Sequence, residues 1–194
     1  MHPDDEPEAD DERIALPPDA QGYLAVLDEH GWFEDLPPAY AARARAGVEA
    51  AYARGAHPAV GLAIHSVPHS DDAEPQWFGA LLRDVAAAAH GLLPLEDAKV
   101  TKSKRGDYVA KARLGEATLQ ETLHAGKEPD LLDPILQTAA FLEAALEAQD
   151  IQDVTVSYFT DEAKVLHWYL RPRDLPLPPG LIPDDEDDPL YRPA

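Results

Sequence analysis

The segment from Val154 to Leu170 is the part of this sequence that most restricts how the chain can fold. Val154 to Phe159 and Lys164 to Leu170 are typical of two strands joined by a four-residue turn. Successive side chains of a strand point to opposite faces, yet large apolar groups occupy adjacent positions here. These residues are Tyr158, Phe159, Val165, Leu166, Trp168 and Tyr169. A hairpin that is apolar on both faces requires cover on both faces, from its own chain or from a second subunit.

Two segments with helical periodicity can supply part of that cover. A helix from Pro75 to His90 follows two aspartates and ends at Gly91. Asp133 is an N-cap for a second helix from Pro134 to Gln149, which has proline in its first position. Both segments carry one wide apolar stripe, so we expect both helices to lie on a core.

Between these helices the hydrophobic period changes to that of a sheet. Lys99 to Lys104, Asp107 to Arg113 and Glu116 to Leu123 predict three strands, with tight turns at Arg105-Gly106 and Leu114-Gly115. The alternating inward side is supplied by Tyr108, Ala110, Ala112, Ala117, Leu119 and Leu123. The segment therefore predicts a three-strand antiparallel meander.

The residues before this unit predict two further helices and a strand. Asp19 caps a helix over Gln21 to His30, and another helix follows Pro38 and ends before Gly55. Alternation of larger and small residues from Val60 to Ile64 predicts a strand. The predicted fold class is α+β: a helix, a three-strand antiparallel meander, a helix and a two-strand hairpin, with an extra N-terminal helical segment.

Acidic residues are concentrated at both ends of the chain. Residues 1–18 hold seven acidic side chains against one arginine, and the proline-rich residues 171–194 hold six against three arginines. Such segments bury too little apolar area to offset the entropy of ordering them. We therefore predict solvated tails at 1–18 and 171–194, an N-terminal helical extension with one strand at 19–67, and an α+β domain at 68–170.

Composition disfavours several classes of function. The formal net charge of -21 opposes direct binding to nucleic acid or to an anionic membrane. The chain has no cysteine, which removes disulfides, thiol nucleophiles and zinc-thiolate sites. No stretch approaches the roughly 20 apolar residues of a membrane span, and the N-terminus has no apolar signal region. We expect a cytoplasmic protein.

Residues that could carry chemistry do not form a recognisable motif. His57, His65 and His69 lie near two aspartates, but they fall at a strand end and in a loop, where their spacing has no fixed geometry. Phosphate-binding glycine motifs are absent. The serines lie in no sequence motif that supplies a base and an orienting group; they are Ser66, Ser70, Ser103 and Ser157. We predict no catalytic site, no metal and no cofactor.

One basic cluster stands out in this acidic chain. Lys99, Lys102, Lys104, Arg105, Lys111 and Arg113 occur within the first predicted hairpin. On a two-residue period Lys102 and Lys104 share a face, as do Lys111 and Arg113, which predicts a positive stripe on the outward side. Lys102, Lys104, Arg105, Lys111 and Arg113 are therefore the candidate partner-binding residues. The alternative is a solvated sheet face whose charges discourage pairing with other sheets.

The element order from Asp72 to Leu170 resembles that of type III secretion chaperones and the related YbjN-type bacterial proteins. That resemblance implies a small acidic homodimer that binds other proteins. It places the subunit interface on the Pro134 to Gln149 helix and the Val154 to Leu170 hairpin, with five candidate interface residues: Leu142, Leu146, Phe159, Trp168 and Tyr169. Two departures are a proline-rich segment in place of a closing helix and the additional residues before Asp72.

Three functions from different classes follow from these observations. The first is a protein-binding module, a chaperone-like or adaptor homodimer acting on a protein client, for which a basic nucleic-acid-binding protein is one candidate. The second is a toxin-neutralising, immunity-type acidic inhibitor. The third is an enzyme with an unrecognised carboxylate or histidine site. The first is the function we expect, with no enzymatic activity.

Overall fold

The computed structural model describes residues 16–70, 73–126, 133–185 and 188–193 of the chain. Within these residues the fold is α+β, as the sequence predicts, with four α-helices and two three-stranded antiparallel sheets. The helix, meander, helix and hairpin follow one another in the predicted order. None of the described helices combines the length and the apolar character needed to cross a membrane.

The helices begin and end close to the residues that their caps predict. α1 spans Ala20–Glu29 and α2 spans Pro38–Ala53. α3 spans Pro75–Ala88 and α4 spans Pro134–Glu147, each with proline in the first turn. The Asp133 carboxylate accepts hydrogen bonds from the first free amides of α4, at 2.7 Å and 3.2 Å.

We call the first of the two sheets the inner sheet. It contains β1 (Ala63–Pro68), β5 (Val154–Thr160) and β6 (Val165–Pro172), in the order β1-β6-β5. β5 and β6 form the predicted hairpin, and β1 pairs antiparallel with β6 on its other side. The predicted strand at Val60 to Ile64 is shifted, because Pro58–Leu62 forms a 3₁₀ helix and the extended backbone starts at residue 63.

Both faces of the inner sheet are covered by the chain itself. The Trp32 ring, between α1 and α2, stacks on Tyr169 with 6.3 Å between the ring centroids. The Tyr40 hydroxyl of α2 lies 2.9 Å from the carbonyl oxygen of Leu170 in β6. Trp168 points to the opposite face and is also fully buried, and α3 and α4 contact β1 and β5. The N-terminal helices are thus one of the two covers that the sequence requires.

This cover corrects the assignment of five residues to a subunit interface. All of them are 0% exposed within the single chain, so none offers surface to a second copy: Leu142, Leu146, Phe159, Trp168 and Tyr169. The sequence allowed either the N-terminal helices or a second subunit to cover the hairpin. In the structure the N-terminal helices provide this cover. The homodimer itself stays a prediction.

The outer sheet is the meander. It contains β2 (Glu96–Lys102), β3 (Tyr108–Leu114) and β4 (Ala117–His124), in the order β2-β3-β4. α3 contacts β2 and α4 contacts β4, and the same two helices contact the inner sheet. These helices therefore lie against both sheets, and the outer sheet has its second face turned away from the core.

Residues 171–181 pack on the fold, which corrects the prediction of a solvated tail for this part of the segment after residue 170. β6 continues to Pro172, and the chain then returns along α1, where Pro176, Leu177 and Pro179 lie against Val26, Leu27, His30 and Trp32. Leu181 is buried at the start of β7 (Leu181–Asp185), which pairs with β8 (Asp188–Pro193). Prolines exclude a helix here but permit an extended chain on an apolar surface. Residues 1–15 of the predicted N-terminal tail lie outside the described residues.

Candidate functional site

The exposed face of the outer sheet is the candidate binding surface. Alternation along β2, β3 and β4 sends one set of side chains into the core and the other set into solvent. The buried set contains Ala98, Val100, Ala110, Ala112, Leu114 and Leu123. The opposite set, which we call the basic face, contains Lys99, Thr101, Val109, Lys111, Arg113, Thr118, Gln120 and Thr122.

Two lysines are directly opposite each other at the centre of the basic face. Lys99 of β2 pairs with Lys111 of β3 in the strand register, and both side chains are exposed. Among the described residues neither ammonium has a carboxylate within 4.0 Å, and Lys111 faces the neutral Gln120 on β4. Like charges directly opposite each other destabilise a sheet. The fold itself gains nothing from this arrangement.

Arg113 lies at one end of the basic face and is neutralised there. Its guanidinium is 2.6 Å from the Glu96 carboxylate and 3.1 Å from that of Asp97. The prediction that Lys111 and Arg113 share an outward face is confirmed by their exposure and register. Of these two cations, however, Lys111 carries the uncompensated charge.

Lys102 corrects the prediction of a single positive stripe. It has the same parity as the buried Val100, so it lies on the side of the sheet opposite Lys99 and Lys111. Its ammonium is 5.5 Å from the centre of the Tyr108 ring and 3.9 Å from the Glu74 carboxylate. β2 ends at Lys102, so the two-residue alternation of a strand does not extend to Lys104, which lies in the turn.

Lys104 and Arg105 lie on the turn between β2 and β3, and this turn is well fixed. The Ser103 hydroxyl oxygen accepts hydrogen bonds from the amides of Arg105 and Asp107, both at 3.1 Å. The Asp107 carboxylate in turn accepts from the Gly126 amide at 3.0 Å. These bonds hold the backbone while both basic side chains stay exposed. The turn therefore presents two cations from an ordered position at the end of the hairpin.

The three histidines that were considered as metal ligands are separated in the structure. Nδ1 of His57 accepts from the Ala59 amide at 3.2 Å at the start of the 3₁₀ helix. His65 lies in β1, and His69 follows the end of that strand. In the described parts of the chain no three histidine or carboxylate side chains come together as a set of metal ligands.

A polar cluster that the sequence did not predict lies on the inner sheet. Ser66 Oγ of β1 is 2.8 Å from Nδ1 of His167 in β6, and Nε2 of that ring is 3.1 Å from the Asp161 carboxylate. Partial burial raises the pKa of Asp161, but hydrogen bonds from the Val165 amide and from His167 outweigh it and hold the pKa below its ordinary value. The sequence has Ser66 in no motif with a base and an orienting group, and the fold places His167 and Asp161 in line with it.

Sequence signals for these two clusters differ. The residues with which β4 completes the basic face follow from the two-residue alternation of that strand: Thr118, Gln120 and Thr122. Ser66 and His167 are 101 residues apart, and only the pairing of β1 with β6 brings them together. No local spacing carries that information.

No protein-family model, no curated protein and no solved structure matches this chain. The resemblance to secretion chaperones and YbjN-type proteins therefore stays a prediction that depends on element order.

Proposed function

We propose that this protein works as a protein-binding module, chaperone-like or adaptor in type, and that the basic face binds an acidic segment of its partner. The observation that carries the proposal is the pairing of Lys99 with Lys111 on an open sheet face. Exposed like charges destabilise the free protein, and an anionic ligand placed between them removes the repulsion. The same arrangement that weakens the fold thus strengthens the complex.

Charge distribution supports an acidic segment as the ligand. The chain has 37 acidic and 16 basic residues, so most of its surface repels an anionic partner. The basic face and the turn with Lys104 and Arg105 are a local exception to that repulsion. An acidic segment is thereby directed to one place and excluded elsewhere. Net charge alone favoured a basic client, whereas the geometry of this face favours an acidic segment on that client.

The polar residues around the lysines are suited to a peptide ligand. Thr101, Thr118, Gln120 and Thr122 surround the cations with hydroxyl and amide groups that both donate and accept hydrogen bonds. Val109, half-buried beside them, adds a small apolar contact. A flat face of this kind recognises an extended carboxylate-rich segment by its charge and its hydrogen bonds, without a deep pocket.

Binding of a fluorescent oligoglutamate peptide tests the proposal. We expect the double variant K99Q/K111Q to weaken binding by about two- to thirtyfold, because exposed ion pairs contribute about 0.2–1 kcal/mol each. The matched control is R54Q/K164Q, which removes two exposed cations outside the basic face and should change affinity by less than about twofold. Anisotropy titrations at low and at physiological salt provide the affinities.

Equal weakening by the two double variants would overturn the proposal, because the peptide would then sense net charge and not this face. Affinity purification with wild type and K99Q/K111Q from native lysate is the second measurement. A partner that the wild type retains and K99Q/K111Q loses should contain a run of acidic residues. Retention of the same partners by both proteins would also contradict the proposed surface.

A further inference from the structure

The cluster on the inner sheet carries a second inference, separate from the basic face. We propose that Ser66 is a nucleophile that carboxylic esters acylate, with His167 as the base that takes its proton and Asp161 as the residue that positions the imidazole. The three side chains come from β1, from β6 and from the turn between β5 and β6. Function is assigned from their mutual geometry, as for any nucleophile with a base and an orienter.

Hydrogen bonding sets the tautomer that the reaction requires. A carboxylate only accepts hydrogen bonds, so the 3.1 Å contact with Asp161 places a proton on Nε2 of His167. In the neutral ring Nδ1 then has a free lone pair. That lone pair lies 2.8 Å from Ser66 Oγ, where it accepts the hydroxyl proton. The ring nitrogens are used in the reverse order of the serine protease triad, with the same logic.

The imidazole and the carboxylate are held in place before any substrate binds. The His167 side chain is 5% exposed, and the Phe159 ring stacks on it at 4.9 Å between centroids and 28° between planes. The Asp161 carboxylate accepts from the Val165 amide at 2.8 Å. A base that is fixed in this way loses little orientational freedom during proton transfer.

Ser66 itself is exposed, although its base is buried. This difference separates the proposed role from a structural one. A buried histidine needs polar partners for its two nitrogens, and a buried hydroxyl or carbonyl would satisfy Nδ1 equally well. Here the partner is a hydroxyl that solvent and small esters reach. Among the described strands β1 pairs with β6 alone, so Ser66 lies on an edge strand of the inner sheet.

The acylation step is balanced without any further reactant. Ser66 Oγ attacks the ester carbonyl carbon while its proton moves to Nδ1 of His167, and the resulting imidazolium is stabilised by the Asp161 carboxylate. The bond to the leaving alcohol then breaks, and the alkoxide takes the proton from Nδ1. The products are acyl-Ser66 and a neutral alcohol. Water repeats the sequence and releases the carboxylic acid.

Reaction of the full-length protein with para-nitrophenyl acetate tests the inference. We expect a burst of nitrophenolate equal to one acyl group per chain, and peptide mass spectrometry should place the acetyl group on Ser66. S66A changes an exposed position, should keep the fold, and should abolish the burst. S157A is the matched control, because the Ser157 hydroxyl accepts a hydrogen bond from the Arg171 guanidinium and no base among the described residues is bonded to it. It should react as the wild type does.

D161N tests the positioning role of Asp161. It leaves His167 in place, so the result does not depend on whether a histidine variant folds. The amide nitrogen donates to Nε2 and places the ring proton on Nδ1, which removes the lone pair that faces Ser66. We expect acylation to slow by about 100-fold or more and its dependence on pH to change, while a purely structural role would leave both unchanged. Absence of the burst in the wild type, acetyl groups elsewhere than on Ser66, or equal labelling of S66A would overturn the inference.

The two proposals fail separately. K99Q/K111Q should acylate like the wild type, and S66A should bind the oligoglutamate peptide like the wild type, because the two clusters lie on different sheets. A protein that binds but does not acylate retains the proposed function and loses only the inference on Ser66.

Discussion

The inner and outer sheets have the same number of strands, but the chain covers two faces of one and one face of the other. In the inner sheet aromatic residues on both sides, Trp168 and Tyr169 among them, are fully buried. In the outer sheet the inward side is built largely from alanine, valine and leucine, and the other side carries lysine and threonine. Large apolar groups on both faces bury far more area than small groups on one face. Stability is therefore concentrated in the inner sheet, and the outer sheet leaves a face free for a partner.

The largest effect expected from this comparison is that of W168A. Removal of a fully buried indole from the inner sheet should lower the free energy of unfolding by about 3–5 kcal/mol. V109A removes a half-buried side chain from the basic face and should cost less than about 1 kcal/mol. Urea denaturation of both variants gives the two values. Similar losses would mean that the sheets contribute equally, against the comparison.

G47A tests the cover of the inner sheet next. A Cβ on Gly47 of α2 would lie 2.2 Å from the carbonyl oxygen of Gly61, so the helix must move away from the 3₁₀ segment. We expect a loss of about 1–3 kcal/mol in thermal or urea unfolding. G22A in α1 is the control, since its nearest contact would be 3.2 Å and alanine favours a helix by up to about 1 kcal/mol. A neutral G47A would show that α2 is not tightly placed.

Acidification probes the connection between α2 and β1 through His57, which caps the 3₁₀ helix. Burial lowers the pKa of His57 in the folded protein below its ordinary value, so the unfolded chain binds a proton first as the pH falls. The contribution of His57 is therefore complete above about pH 6.5 and is lost as the pH falls through the folded pKa. H57Q should flatten the fall in melting temperature below about pH 6.5. An unchanged slope would assign the effect to other groups. Asp161 is not one of them, because its lowered pKa affects stability only below about pH 4.

The smallest expected effect is that of a lysine substitution in the outer sheet. K111Q removes one member of the like-charged pair with Lys99 and should raise the free energy of unfolding by about 0.2–1 kcal/mol. K164Q on the turn between β5 and β6 should leave it within about 0.5 kcal/mol. Chemical denaturation at low salt resolves the difference best, because salt screens exposed charges. A destabilised K111Q would indicate that Lys111 serves the fold and weaken the proposed binding role.

Local sequence patterns determined the elements of this protein. Asp133 followed by Pro134 specified the start of α4, and the alternation from Lys99 to Leu123 specified the meander. These features depend on neighbours within a few residues, through caps, turns and side-chain period. The fold class, the helices and the exposed position of Lys111 could therefore be derived from the sequence.

Only the tertiary structure decided what lies between elements that are distant in the chain. Three features depend on contacts between distant residues: Trp32 on Tyr169, Ser66 beside His167, and the return of residues 176–179 along α1. Apolar periodicity predicts that a face is buried, but it does not predict which element covers that face, because the hydrophobic effect is non-directional. For the same reason the aromatic hairpin predicted a need for cover, and only packing assigned that cover to α1 and α2 in place of a second subunit.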